Sequence, residues 1–246
     1  MIREIIDIQI VTENLTSTLE PSIRVVKAIS PSWNFIIVFA AMLLMVINKQ
    51  LYSLRFRMML SALSQSTDGD RMSREWNPIL SINGLTVFVS YIALLALVVQ
   101  KIILVFSGNT DFYGSFSFYL DVCTFIAALC IIQYLFITLY GWLFGIESAT
   151  THHVVTHLST MAILNIGLIV LGLIMIFYPT KFILIIISSI VLIISGIRIF
   201  KTFFEFQILS KMNLFNIFLY FCTLEIIPLS VAITMLCRLV VTNCVL

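Results

Sequence analysis

A chain of 246 residues that is 61% hydrophobic and 11% charged, with a mean hydropathy of +1.10, carries more apolar side chain than one soluble core can bury. Its net charge of +2 is spread over both ends of the chain, which excludes the clustered basic face that nucleic-acid binding needs. What remains is an integral membrane protein, all-α, a polytopic bundle of transmembrane helices with the lipid bilayer as its first partner.

Residues 1–32 form an N-terminal tail. Its opening, MIREIIDIQIVTENLTSTLE, alternates isoleucines with acids and threonines and has no compact apolar run before a small-residue cleavage site. The first span is therefore expected to do the targeting. Asn14, Leu15 and Thr16 fit a glycosylation acceptor, which matters only in a eukaryotic secretory path.

Residues 33–246 read as one domain of six spans. A window of about 19 residues, the length that crosses roughly 30 Å of hydrocarbon, finds them in order. They run Trp33 to about Tyr52, about Ile82 to Phe106, about Phe118 to Leu143, about Met161 to Tyr178, about Phe182 to Phe200 and about Leu214 to Val240. No repeat of 20 to 50 residues supports an inverted-repeat transporter.

A basic loop at about residues 53–80 follows the first span. Its start, KQLYSLRFRMMLSAL, interleaves Arg55 and Arg57 with Leu54, Phe56, Met58 and Met59. Two readings stand: an ordinary loop whose cations set topology, which is the plainer one, or an interfacial helix lying on an anionic leaflet. Beyond it, SQSTDGDRMSRE is a polar linker with a turn at Asp68 to Asp70.

Lys101 ends the second span and Asp121 begins the third on the same side, so an interfacial ion pair is expected between them. Gln133 and Tyr134 are polar side chains inside the third span. At its end, GWLFG places Gly141 and Gly145 at GxxxG spacing, which suits either a close helix approach or a helix terminus at Gly145.

ATTHHVVTHLST then holds all three histidines, His152, His153 and His157, in what reads as a short loop before the fourth span. His153 and His157 are four apart and would share a helix face, the minimum for metal ligation, but no acid joins them in a known pattern. A polar interfacial turn is the plainer reading, and no metal or cofactor is expected. The fourth and fifth spans are parted only by YPTK, where Pro179 ends a helix and Lys181 prefers the interface, so a tight hairpin is expected.

The last span contains LYFCTLEIIPLSVAI, with Glu225 near mid-depth, about 16 Å from the start of the run. A charge there costs at least about 3 kcal/mol, so Glu225 should face protein or water. Pro228 frees the carbonyl of Leu224 and favours a bend beside the acid. Glu225 is then either a protonated packing contact hydrogen-bonded to a neighbouring helix or a proton- or cation-coupling group. Gln133 and Tyr134 are its best intramembrane partners.

Lys49, Arg55, Arg57, Arg71 and Arg74 follow the first span, and Arg198, Lys201 and Lys211 follow the fifth. Both loops fall on one side of a six-span chain, which makes that side cytoplasmic and both termini extracytoplasmic. Cys123, Cys130, Cys222 and Cys237 lie in apolar runs and Cys244 at the tail, giving neither a disulfide framework nor a CxxC motif. No phosphate loop, GxSxG elbow or Cys/His pair supports an enzyme.

Two blocks carry a resemblance: LYGWLFG at Leu139 to Gly145 with ILNIGLIVLGLIMIFYP at Ile163 to Pro179, and NIFLYFCTLEIIPL at Asn216 to Leu229. In these the chain resembles the domain-of-unknown-function 4271 family of polytopic membrane proteins from Bacteroidota, over roughly residues 80 to 246. The resemblance implies a bacterial inner membrane and no established activity. The expected role is a non-enzymatic subunit or assembly factor that meets other membrane or envelope proteins, with Glu225 and Pro228 forming a buried packing site; the alternative is a small proton- or cation-coupled transporter using Glu225.

Overall fold

A computed structural model describes residues 32–62, 81–107, 113–178 and 180–210, together with Cys222, Thr223, Ser230 and Thr234. The regular elements among them are helices: α1 (Trp33–Leu51), α2 (Ser53–Ser61), α3 (Ile82–Ser107), α4 (Phe116–Phe144), α5 (Glu147–Phe177) and α6 (Lys181–Ser210). All but α2 are long and apolar enough to cross a bilayer. The chain is an all-α helical bundle with the character of a multi-pass membrane protein. The tail up to residue 31 and, apart from those four residues, the expected span from Leu214 to Val240 lie outside the described residues, Glu225 and Pro228 among them.

α1 buries Asn34, Val38, Ala41, Met45 and Asn48, a stripe at spacings of three and four that turns one helix face inward. The helix stops at Tyr52, whose backbone leaves the helical region (φ −128°, ψ 44°), and the chain restarts as α2. Here Phe56 and Met59 are buried while Arg55 and Arg57 are exposed, an amphipathic segment. Residues 53–61 of the basic loop are therefore a helix packed on the bundle through Phe56 and Met59.

α4 begins at Ser115, whose extended backbone lets its hydroxyl oxygen accept the amide of Phe118 at 3.2 Å. It ends at Gly145 in the left-handed region (φ 66°), a conformation that glycine adopts without the Cβ penalty. A Cβ on Gly141 would collide with the hydroxyl of Thr150 in the first turn of α5. Both readings of GWLFG hold: Gly141 permits the close approach and Gly145 ends the helix. The hairpin at residues 178–181 is as tight as expected, with Thr180 Oγ1 accepting from the amide of Ile183 at 3.4 Å.

Two expectations are corrected. The fourth long helix begins at Glu147 and not near Met161, so ATTHHVVTHLST is helix and not loop; the fifth continues past Phe200 to Ser210. In both cases polar side chains lower the local hydropathy although no proline or turn signal breaks the helix, and those side chains are covered by other helices instead of by water.

Successive long helices run antiparallel. At one end Trp33 of α1 meets Phe116 and Tyr119 of α4, with ring centroids 5.4 and 5.2 Å apart. At that same end Lys181 lies over the ring of Phe106, 5.9 Å from its centroid. At the other end α2 and the last turns of α6 come together; this is called the basic end below. α5 packs against every one of the other five helices, and α3 and α5 are the most buried of the long ones. The core joins Val38, Met59, Leu94, Leu97, Leu168 and Ile187 from five helices. At 31 residues α5 is about 46 Å long, more than the roughly 30 Å of a hydrocarbon layer.

Candidate functional site

The first turns of α5 carry a polar cluster. His152 and His153 are buried, 3% and 1% exposed, where hydropathy alone predicts a watery turn. His152 Nδ1 lies 3.3 Å from Glu205 Oε2 on α6, a distance at which a protonated imidazole forms an ion pair. The other carboxylate oxygen, Oε1, is 3.4 Å from Lys201 Nζ, one turn earlier on α6. Lys201 also donates to the carbonyl oxygen of Ala62, at the end of α2, at 2.7 Å.

One line of contacts, His152 to Glu205 to Lys201 to Ala62, thus clasps α5, α6 and α2. A second contact runs parallel to it: Ser159 Oγ donates to the carbonyl of Met59 at 2.5 Å. Arg198 and Thr202 are buried one turn on, with Thr202 Oγ1 bonded to the Arg198 carbonyl at 2.9 Å. The two basic stretches that the sequence places on one side of the membrane therefore meet in space. Charge is concentrated here and partly shielded from water, so each contact is stronger than its exposed counterpart.

A second polar group sits deeper, between α1, α3 and α5. Asn83, Thr86, Val87 and Ser90 share one face of α3 at spacings of three and four. Asn48 Nδ2 donates to Asn83 O at 3.1 Å and to Thr86 Oγ1 at 2.8 Å. Asn165 Nδ2 donates to Ser90 Oγ and, at 3.3 Å, to Val87 O, with Met45 Sδ at 3.4 Å. Buried amides of this kind bind helices in an apolar surrounding where backbone groups have few other partners.

An apolar groove of about 250 Å³ opens between α3, α4 and α5, lined by Phe88, Cys130, Ile137, Leu158 and Met161, with Tyr134 and His157 also on its wall. The expected site residues are thus dispersed. Tyr134 lines the groove and Gln133 beside it is half-buried; Glu225 and Pro228, their expected partners, fall outside the described residues. His153 and His157 do share a helix, but among the described residues no three of His, Cys, Asp or Glu converge as a metal site.

Of the expected pair, Lys101 is buried, 2% exposed, while Asp121 stands exposed on α4. Glu205 and the asparagines Asn48, Asn83 and Asn165 were not singled out by the sequence. The i, i+4 spacing of Lys201 and Glu205 and the recurrence of Asn83, Thr86 and Ser90 on one face are the signals that mark them.

Residues 34–236 match a protein family described as a domain of unknown function (DUF4271). No curated protein and no solved structure matches the chain.

Proposed function

We propose a role on the premise that this chain belongs to the DUF4271 family, whose description names no activity. The chain acts as a non-enzymatic membrane subunit or assembly factor of a bacterial envelope complex. It sits in the inner membrane with its basic end toward the cytoplasm and both termini on the other side. The Lys and Arg distribution supports that orientation, since cations are retained on the cytoplasmic side.

The observation that carries the subunit reading is α4. It is the least buried of the five long helices, and Leu135, Phe136, Leu139, Trp142 and Leu143 are all exposed, Trp142 by 71%. Close to that broad apolar face, Gly141 holds α4 fast to α5. A rigid backing beneath a large apolar surface suits association with the helix of another membrane protein through van der Waals packing.

The test is purification of the tagged protein in mild detergent, with sizing on native gels and mass spectrometry of what accompanies it. Stoichiometric foreign subunits, released by replacing Leu139 and Trp142 with alanine, support the reading. A clean monomer or homo-oligomer overturns it. The carrier reading would then come first, and Glu225→Gln tests it: this change preserves a hydrogen bond but cannot ionise, so full function in the variant removes Glu225 as a coupling group.

A further inference from the structure

Residues 32–62 carry three cations, Lys49, Arg55 and Arg57, and no acid. All three are exposed, and so are Leu51 and Leu54, by 69% and 70%. Where they stand follows from α1. At 19 residues that helix is about 28 Å long, close to the thickness of a hydrocarbon layer, so Leu51 marks the edge of the layer. Arg55 and Arg57 follow within two helical turns, about 9 Å, which keeps their long side chains in reach of the headgroups whichever way α2 runs.

The helical period of α2 sorts its side chains. At about 100° per residue, Leu54 and the half-buried Met58 sit about 40° apart on the outer face, with Arg57 about 60° to one side of Leu54 and Arg55 about 60° beyond Met58. Phe56 and Met59, which fasten α2 to the bundle, occupy the opposite face. An apolar strip edged by arginine on both sides suits a helix whose leucine enters the acyl boundary while the guanidinium groups reach for phosphates. Water alone would leave the leucines bare, and uncharged lipid would leave the cations unmatched. An anionic headgroup with its acyl chains answers both.

We propose that the outer face of α2, with Lys49 and Leu51 at the end of α1, is a docking surface for anionic phospholipids. Arg55 and Arg57 take the phosphodiester oxygens, and Leu51 and Leu54 lie against the acyl chains. The bonds from Ser159 to Met59 O and from Lys201 to Ala62 O already hold α2 in place, so the lipid meets a surface that needs little further ordering. This surface serves the chain whether it works as a subunit or as a carrier, because no protein partner is needed to form it.

In the experiment, the purified full-length chain in neutral detergent is titrated with phosphatidylglycerol or with phosphatidylcholine of the same acyl chains, and bound lipid is counted by native mass spectrometry. Deuterium exchange is compared in nanodiscs of phosphatidylcholine with and without phosphatidylglycerol. Tighter binding of phosphatidylglycerol is expected, with slower exchange at residues 53–61 in the anionic discs, no change in α3, and a difference that fades as salt is raised. Each cation at an anionic surface should contribute about 5-fold, so Arg55→Gln combined with Arg57→Gln is expected to weaken phosphatidylglycerol binding about 25-fold and leave phosphatidylcholine binding as it was.

Gln matches the helix propensity of Arg and both positions are exposed, so the double variant is expected to fold. Lys181→Gln, which removes a cation at the opposite end of the bundle, is the control and should keep the preference. Equal binding of the two lipids by the unaltered chain overturns the proposal. A preference that survives in the arginine variant also overturns it, placing the lipid elsewhere. Slowed exchange at residues 53–61 in native membrane vesicles but in neither nanodisc overturns it as well and gives the surface to a protein.

Discussion

Lys201 and Ala62 are 139 residues apart in the chain, yet Lys201 Nζ donates to the Ala62 carbonyl at 2.7 Å. That carbonyl lies at the end of α2, so the lysine acts there as a helix cap. The same ammonium group holds Glu205, which holds His152. Removing one charge from such a line leaves the remaining ones poorly matched.

Lys201→Met, which keeps the length of the side chain and discards its charge, is expected to destabilise the protein by about 1 to 3 kcal/mol. Amides of residues 53–61 should exchange with deuterium faster than in the unaltered protein, while those of α3 should be unchanged. Unchanged exchange across α2 would show that its packing through Phe56 and Met59 is sufficient alone.

Ser159→Ala removes the other bond between α5 and α2, the one to Met59 O. The interhelical hydrogen bond is expected to contribute about 0.5 to 2 kcal/mol. Combined with Lys201→Met, the loss should exceed the sum of the single changes, because both bonds restrain one short helix. Unfolding midpoints of the two single variants and the double variant check this.

Gly141→Ala and Gly145→Ala differ in kind. The first drives a methyl group into Thr150 and should cost about 1 to 3 kcal/mol as the α4–α5 contact opens. The second meets open space, and its cost of about 1 kcal/mol comes from the left-handed backbone alone. Thr150→Ala should recover part of the loss in Gly141→Ala and none in Gly145→Ala.

Asp121→Asn is expected to change stability by less than about 0.5 kcal/mol, because Asp121 is exposed. Lys101→Met, at a buried position, should give a clearly larger change. Equal effects from the two substitutions would point to a pair between them.

The long helices were legible in the sequence because hydropathy over about 19 residues has few other causes in a chain this apolar. Trp33, Ile82 and the hairpin at Lys181 fall within a residue of their expected positions. What hydropathy obscures is the difference between polar because wet and polar because bonded. His152, Ser159 and Glu205 lower the local average as loop residues would, yet each is bonded to another helix. Asn48 and Asn165 were hidden for the opposite reason, since one amide barely lowers an apolar average, and which residues meet across helices depends on rotation about axes that a single sequence does not specify. The family resemblance at Leu139 to Gly145 and Ile163 to Pro179 agrees with the family match, and the first of these blocks turns out to be a tight junction between two helices.

That α5 touches every other described helix sets an order of events during synthesis. α1, α3 and α4 leave the ribosome with some of their contacts available, but Ser159, Asn165 and the base of the Thr150 junction arrive only when α5 does. Glu205 and Lys201 follow a full helix later, and they supply the latch for α2, made long before. α2 would thus wait longest for its partner, and a nascent chain arrested before residue 147 would present α2 unclasped to whatever insertion or quality-control machinery surrounds it.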